Sequence, residues 1–221
     1  MGGTEAAAAA CTAHYDARSA TYDDSAMHRS VAVGLARLAA GSVGPRPGSL
    51  VLDVGTGTGL VLRALAAHLT DAPTDAPGVR RLGVDRSPGL LARARAADPD
   101  LPLALADAAR LPLPDAAVDV VTCATVLHLL PDRRAALREW ARVVRPGGRL
   151  WTATFAPNPD APPAPPAAAG GGSAPFPRDH EAVATPAQLR ALALGSGWTL
   201  LTTEVGRHDR DLLLLAGFTR S

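Results

Sequence analysis

After Gly48 the chain alternates short apolar runs with longer helical stretches, and that alternation restricts it to few architectures. Ser49 to Val54 is continuously apolar and reads as a buried strand, while Gly59 to Leu69 has helical length and no breaker. Val79 to Asp85 reads as a second strand. The following Ser87 to Ala97 opens a helix with Ser as N-cap and Pro at the first helical position. Leu101 to Asp107 and Ala117 to Thr125 read as the third and fourth strands, Arg133 to Val144 as a helix stopped by Arg-Pro-Gly-Gly, and Arg149 to Phe155 as the fifth strand. Strands alternating with helices call for a parallel sheet covered on both faces. The tail differs. A helix at Thr185 to Gly197 is followed by the runs Trp198 to Val205 and Asp211 to Phe218, with only five residues between them. Five residues are too few for a parallel crossover, so these runs are expected to pair as an antiparallel hairpin at one edge. The expectation is an α/β fold with a mostly parallel seven-stranded sheet closed by a C-terminal hairpin.

Residues 1–48 precede the sheet and read as an N-terminal helical cap segment, with residues 49–221 as the main domain. Asp71 to Gly78 is a turn-rich surface spacer. Residues 156–178 are a Pro/Ala/Gly insertion that cannot bury a core, and its composition fits an active-site lid or a loop with no role. With 221 residues, 47% apolar and 19% charged, the chain suits one domain with a sizeable core. A net charge of +1 gives no electrostatic case for nucleic acid or an anionic membrane, and 4% aromatics leave few platforms for base stacking. All 22 basic residues are Arg, which the abundance of Ala, Gly and Pro explains as GC-rich coding. Cys11 and Cys123 form no disulfide framework and no metal-ligand spacing. No run reaches the ~20 apolar residues of a membrane span. The start has no basic region before an apolar core, so a reducing cytosol is expected.

Three consecutive strand ends carry polar chemistry. The first ends in Asp53, followed by glycines at 55, 57 and 59 in a G-x-G-x-G spacing. The dinucleotide fingerprint would want its third glycine at position 60, which is Leu60. Loss of side chains there lets a ligand approach the backbone, and the helix that follows offers free N–H groups. The second strand ends in Asp85, whose carboxylate can accept from a ribose diol. The third ends in Asp107, able to accept from an exocyclic amine. In open α/β sheets ligands bind at these carboxyl ends, and the three features fall in the order a nucleoside needs.

These residues resemble the class I S-adenosylmethionine (SAM)-dependent methyltransferases, in the small-molecule branch typified by ubiquinone and menaquinone biosynthesis. "VLDVGTGTG" is similar to that family's first motif and "GVDRSPGLLARAR" to its second. "ADAARLPLPDAAVDVVTCATVLHLLPD" and "LREWARVVRPGGRL" resemble the regions that follow. The resemblance implies a Rossmann-like three-layer sandwich and SAM as cofactor, with S-adenosylhomocysteine (SAH) as its product. It implies that Gly55, Gly57 and Gly59, with Thr56 in the same loop, lie under the amino-acid part of SAM, and that Asp53 holds the ammonium directly or through water. Asp85 would take the ribose hydroxyls and Arg86 would flank the adenine. Asp107 would accept the adenine amine, with the Ala108 N–H serving a ring nitrogen, and Ala124 and Thr125 would lie near the methionine chain. "HYDARSATYD" is similar to the family's opening segment, which implies that Tyr15 or Tyr22 closes over the cofactor. The long gap between Gly55 and Asp85 matches the surface spacer.

The reaction implied is methyl transfer to an O, N or C nucleophile of a small, apolar or aromatic metabolite. The composition suits an actinobacterial enzyme of secondary metabolism. A base is needed only where the nucleophile must lose a proton. His128 is the candidate, with His14 and His28 as alternatives, while a hydrogen-bonded structural role for His128 stays open. No metal is expected. The partners expected are a small-molecule acceptor and at most a second copy of the chain, with no nucleic acid and no membrane. Two other readings remain: a SAM-binding sensor or partner subunit without methyl transfer, and a NAD-binding domain, against which Leu60 argues.

Overall fold

A computed structural model describes residues 2–43, 48–71, 78–159, 176–208 and 211–221. The chain begins with α1 (Gly2–Arg18), a 3-10 segment (Ser19–Asp24) and α2 (Ala26–Ser42). The sheet strands and their helices follow: β1 (Leu50–Val54), α3 (Leu60–Asp71), β2 (Arg80–Asp85), α4 (Pro88–Ala97), β3 (Leu103–Leu105), β4 (Val118–Ala124), α5 (Arg133–Val143) and β5 (Val144–Phe155). The chain closes with α6 (Pro186–Ala193), β6 (Trp198–His208) and β7 (Asp211–Arg220).

The seven strands form one sheet in the order β3-β2-β1-β4-β5-β7-β6. The first five are parallel, while β7 runs antiparallel to β5 and to β6. The last strand therefore inserts between β5 and β6, and the hairpin occupies one edge as the short connection requires. Period-two alternation on the parallel strands builds the layers. Val51 and Val120 pack with Ala36 and Ala39 of α2 and with Leu62 and Leu65 of α3. Leu52 and Val121 instead pack with Leu137 and Trp140 of α5 and Leu189 of α6.

The helices start where the sequence supplies caps. Ser25, Ser87, Asp132 and Thr185 accept backbone N–H groups at the first turns of α2, α4, α5 and α6, and Pro88 and Pro186 sit inside two of those turns. Within the N-terminal segment, α2 packs on the sheet: Val31, Leu35, Ala36 and Ala39 are buried in the same clusters as strand residues. One element departs from expectation. β5 begins at Val144 rather than Arg149, because Val144 already pairs with Val118 before a bulge ahead of the Val120–Arg149 pairing. Most of the Asp71 to Gly78 spacer, and residues 160–175 of the Pro/Ala/Gly stretch, lie outside the described residues.

Candidate functional site

A cleft of about 540 Å3 opens at the carboxyl ends of the parallel strands. Val54, Gly55 and Gly57 line it from the turn after β1, Asp85 to Ser87 from the end of β2, Asp107 and Ala108 from beyond β3, and Thr125 and Val126 from beyond β4. Cys11 and Tyr15 of α1, with Tyr22 of the 3-10 segment, cover its open side. The turn after β1 needs glycine: Gly55 has φ +71°, and a Cβ built on it would lie 2.4 Å from the Val126 Cγ2.

Asp85 is positioned by backbone N–H groups. Gly57 donates to its Oδ2 at 2.8 Å and Ser87 to its Oδ1 at 2.8 Å, while burial pushes its pKa up against those hydrogen bonds. Capacity for further donors remains on the two oxygens. Arg86 reaches Asp107 at 3.2 Å and Glu5 of α1 at 3.6 Å. The loop after β3 is pinned from behind, because the Trp140 indole donates to the Ala108 carbonyl at 2.8 Å.

Of the expected site residues, Tyr15, Tyr22, Gly55, Gly57, Asp85, Arg86, Asp107, Ala108, Thr125 and His128 line this cleft, and Asp53, Thr56, Gly59 and Ala124 do not. Asp53 lies beneath the glycine turn, 1% exposed, where its Oδ1 accepts from the Thr122 hydroxyl at 2.7 Å. Burial there lifts its pKa from an ordinary 3.8 to about 7, opposed by the Thr122 hydrogen bond. Asp53 is thus set back from the lining of the cleft. Thr56 is buried with its side chain against Gly83 of β2, Gly59 packs toward Leu101 and Ala94, and Ala124 packs toward the cluster around α2.

A second cleft of about 350 Å3 shares Tyr15, Tyr22, Thr125 and His128 with the first. His128 lies on a 3-10 turn (Leu127–Leu129), its ring stacked on His180 at 4.1 Å and edge-on to Phe155 at 5.5 Å. Its Nδ1 is buried without a hydrogen-bond partner among the described residues. Burial, with help from His180, Arg178 and Arg133, drives its pKa from 6.5 down to about 3, so the ring is neutral at physiological pH. Of the alternative bases, His28 lines this cleft and stacks on Tyr22 at 4.2 Å, whereas His14 lines neither cleft and lies edge-on to Tyr15 and Phe176. Thr125, at the junction of the two clefts, holds a left-handed φ of +54°, a conformation a β-branched residue keeps only when its surroundings impose it.

Sequence reasoning misses Asp16 and Asp23. Asp16 accepts from the Ser87 hydroxyl and, at 2.8 Å, from the Gly89 N–H at the start of α4. Asp23 accepts from the Thr58 hydroxyl and pairs with Arg63 of α3 at 2.6 Å. The repeated Tyr-Asp dyads Tyr15–Asp16 and Tyr22–Asp23 are the signal. In each, the tyrosine faces the cleft and the aspartate fastens the segment to a helix that starts beside it. Phe176, assigned from sequence to the low-complexity insertion, is buried against His14 and Tyr15.

The methyltransferase domain family matches residues 52–152. The chain is 40% identical over 121 residues to a demethylmenaquinone methyltransferase of Beutenbergia cavernae, covering 55% of this chain and 47% of that protein. It is 37% identical over 136 residues to a 27-O-demethylrifamycin SV methyltransferase of Amycolatopsis mediterranei, covering 60% of this chain and 48% of that protein. It thus spans about half the length of the curated relatives it matches. Among solved structures, the magnesium protoporphyrin IX methyltransferase of Synechocystis with bound SAM superposes with a TM-score of 0.63 at 19% identity, covering 88% of this chain and 80% of that one.

Proposed function

From the match of residues 52–152 to the methyltransferase domain family, we propose that this chain is a class I SAM-dependent methyltransferase, with SAM as its cofactor, and that it methylates a small-molecule metabolite. The observation that carries the proposal is the meeting of two clefts at Tyr15, Tyr22, Thr125 and His128. A cofactor in one and an acceptor in the other would be brought together at those four side chains.

The residues present fit SAM. The glycine turn leaves a cradle that a single Cβ at Gly55 would fill, and a held carboxylate stands at the end of β2. The larger cleft falls within the roughly 300–1,000 Å3 typical of ligand sites. Asp85 would accept from the ribose hydroxyls, and Asp107 with the Ala108 N–H would meet the adenine edge. The turn through Gly55 and Gly57 would underlie the amino-acid portion, with Asp53 holding its ammonium directly or through water. Bound there, SAM supplies an electrophilic methyl on a cationic sulfur, which becomes a neutral thioether as the methyl leaves. Tyr15 and Tyr22 would exclude water from the junction and hold the acceptor in line; alignment of this kind is worth about 7–11 kcal/mol in well-oriented systems. His128 stands at the junction as the candidate base, but burial that lowers its pKa to about 3 makes it a weak proton acceptor there, which favours a methyl acceptor whose nucleophile is already deprotonated.

The names of the relatives support a metabolite acceptor, and the rifamycin methyltransferase of Amycolatopsis mediterranei supports a setting in secondary metabolism. The free thiols of Cys11 and Cys123 are in keeping with a reducing, cytosolic location.

Calorimetric titration with SAH tests the reading, with NAD as control and Asp85→Ala alongside. Micromolar SAH binding, weakened at least ~10-fold in the variant and unmatched by NAD, is the expected result. A folded protein that ignores SAH would sink it, and one that binds SAH yet methylates no member of a metabolite panel would leave a binding protein instead.

A further inference from the structure

The second cleft concentrates side chains that are scarce elsewhere in the chain. Of 2 Tyr, 3 Phe and 6 His in the sequence, both tyrosines, Phe155, His28, His128 and His180 line it. Two stacked ring pairs, Tyr22 with His28 and His128 with His180, present flat surfaces to the same space. A chain with 4% aromatic residues has placed them where an aromatic ring would be held by stacking and edge contacts.

The charge in this cleft has one sign. Its charged lining residues are Arg18 and Arg178, and no Asp or Glu lines it among the described residues. The two guanidinium groups converge: each lies 3.5 Å from the same atom, His14 Nε2. Among the described residues neither forms a salt bridge with a carboxylate. Asp179, the next residue along from Arg178, is taken by Arg133 at 3.0 Å. Asp16 and Asp23 of the covering segment are spent on α4 and α3. Arg178 is further held over the Phe176 ring at 5.0 Å. Two arginines gathered on one weak acceptor, with Asp16, Asp23 and Asp179 engaged elsewhere, form a fork that lacks its anion.

Resting on the methyl-transfer reading above, we infer that the acceptor is a flat aromatic molecule bearing a negatively charged group, its ring set against the stacked pairs and its anion taken by Arg18 and Arg178. The anion displaces the long contacts to His14 with charge-assisted hydrogen bonds. The ring then reaches toward the junction at Thr125 and His128. The neutral imidazoles around it are consistent with this division of labour, because they leave the two guanidiniums as the cations of the cleft.

The test is a calorimetric titration of the SAH-saturated protein with two acids, 1-hydroxy-2-naphthoate and 4-hydroxybenzoate, each compared with its methyl ester. The expected result is that at least one acid binds ~10-fold or more tightly than its ester. Arg18→Gln and Arg178→Gln should each shrink that preference, and together abolish it, with ester binding and SAH affinity unchanged. Acids that bind no better than their esters, or that fail to bind at all, overturn the inference, as does a preference that survives in the double variant. Loss of SAH binding by the unmodified protein would instead count against the methyl-transfer reading, so the two failures are told apart in one experiment.

Discussion

Gly55 is the residue at which backbone conformation and ligand space are set together. Its φ of +71° is left-handed, and the Val126 side chain stands where a Cβ would go. Gly55→Ala therefore carries roughly 1–2 kcal/mol for the backbone region and about 1–3 kcal/mol for overpacking. The expected outcome is a lower urea midpoint and weaker SAH binding. Adding Val126→Ala should restore part of both, since it relieves the collision but leaves the strained φ. Full restoration would show that backbone strain contributes nothing. At this scale the sequence disclosed the residues whose role is written in type and spacing, such as the glycines and the strand-terminal acids. It did not disclose which of two strand-terminal acids lines the cleft. Asp53 and Asp85 both end strands, yet Asp53 bonds Thr122 beneath the turn while Asp85 stands in the cleft. Only the path of the turn between them separates the two cases. Arg18 and Arg178 were hidden for a related reason: they lie far apart along the chain, and nothing local marks two surface arginines as partners.

At the scale of elements, α1 adds no buried residue to the core among its described side chains, and Asp16 ties it to the start of α4. Asp16→Ala removes the acceptor for the Ser87 hydroxyl and the Gly89 N–H, worth about 1–3 kcal/mol to the docking of the helix. Trypsin should then cut faster at Arg18, the basic residue in the helix's last turn. SAH should bind several-fold more weakly, with the thermal midpoint of the sheet domain little changed. Unaltered cleavage would show that the helix is held by other contacts. The strand–helix alternation from Ser49 to Phe155 could be read from sequence because each element carries its own period and its own cap. The docking of α1 could not, because its Ala-rich first half gives no apolar stripe and its hold on the domain comes from a few polar contacts distant in sequence. The early start of β5 was hidden in the same way. Arg-Pro-Gly-Gly reads as a stop, but Gly148 lets the chain bulge past the Asp119 carbonyl and rejoin β4.

Across the whole molecule, two buried groups with opposite shifts shape stability against pH. Asp53 has its folded pKa raised from 3.8 to about 7. The folded state therefore holds that proton more tightly, and the group's contribution is full below about 4 and lost as pH rises through 7. His128 has its folded pKa lowered from 6.5 to about 3, so its contribution is full above 6.5 and lost as pH falls toward 3. Between pH 4 and 6.5 the contributions of these two groups oppose one another. Single substitutions separate them. The thermal midpoint of Asp53→Asn relative to the unmodified protein should rise steadily from pH 4.5 to pH 8, because the amide cannot ionise in its buried site. That of His128→Gln should rise in the opposite direction, as pH falls from 7 to 4.5, because the buried imidazole no longer resists protonation. A constant offset across pH for either variant would show that its group titrates alike in the folded and unfolded chain. Because the loss of a hydrogen bond or of packing shifts all midpoints equally, only the slope against pH carries the electrostatic argument.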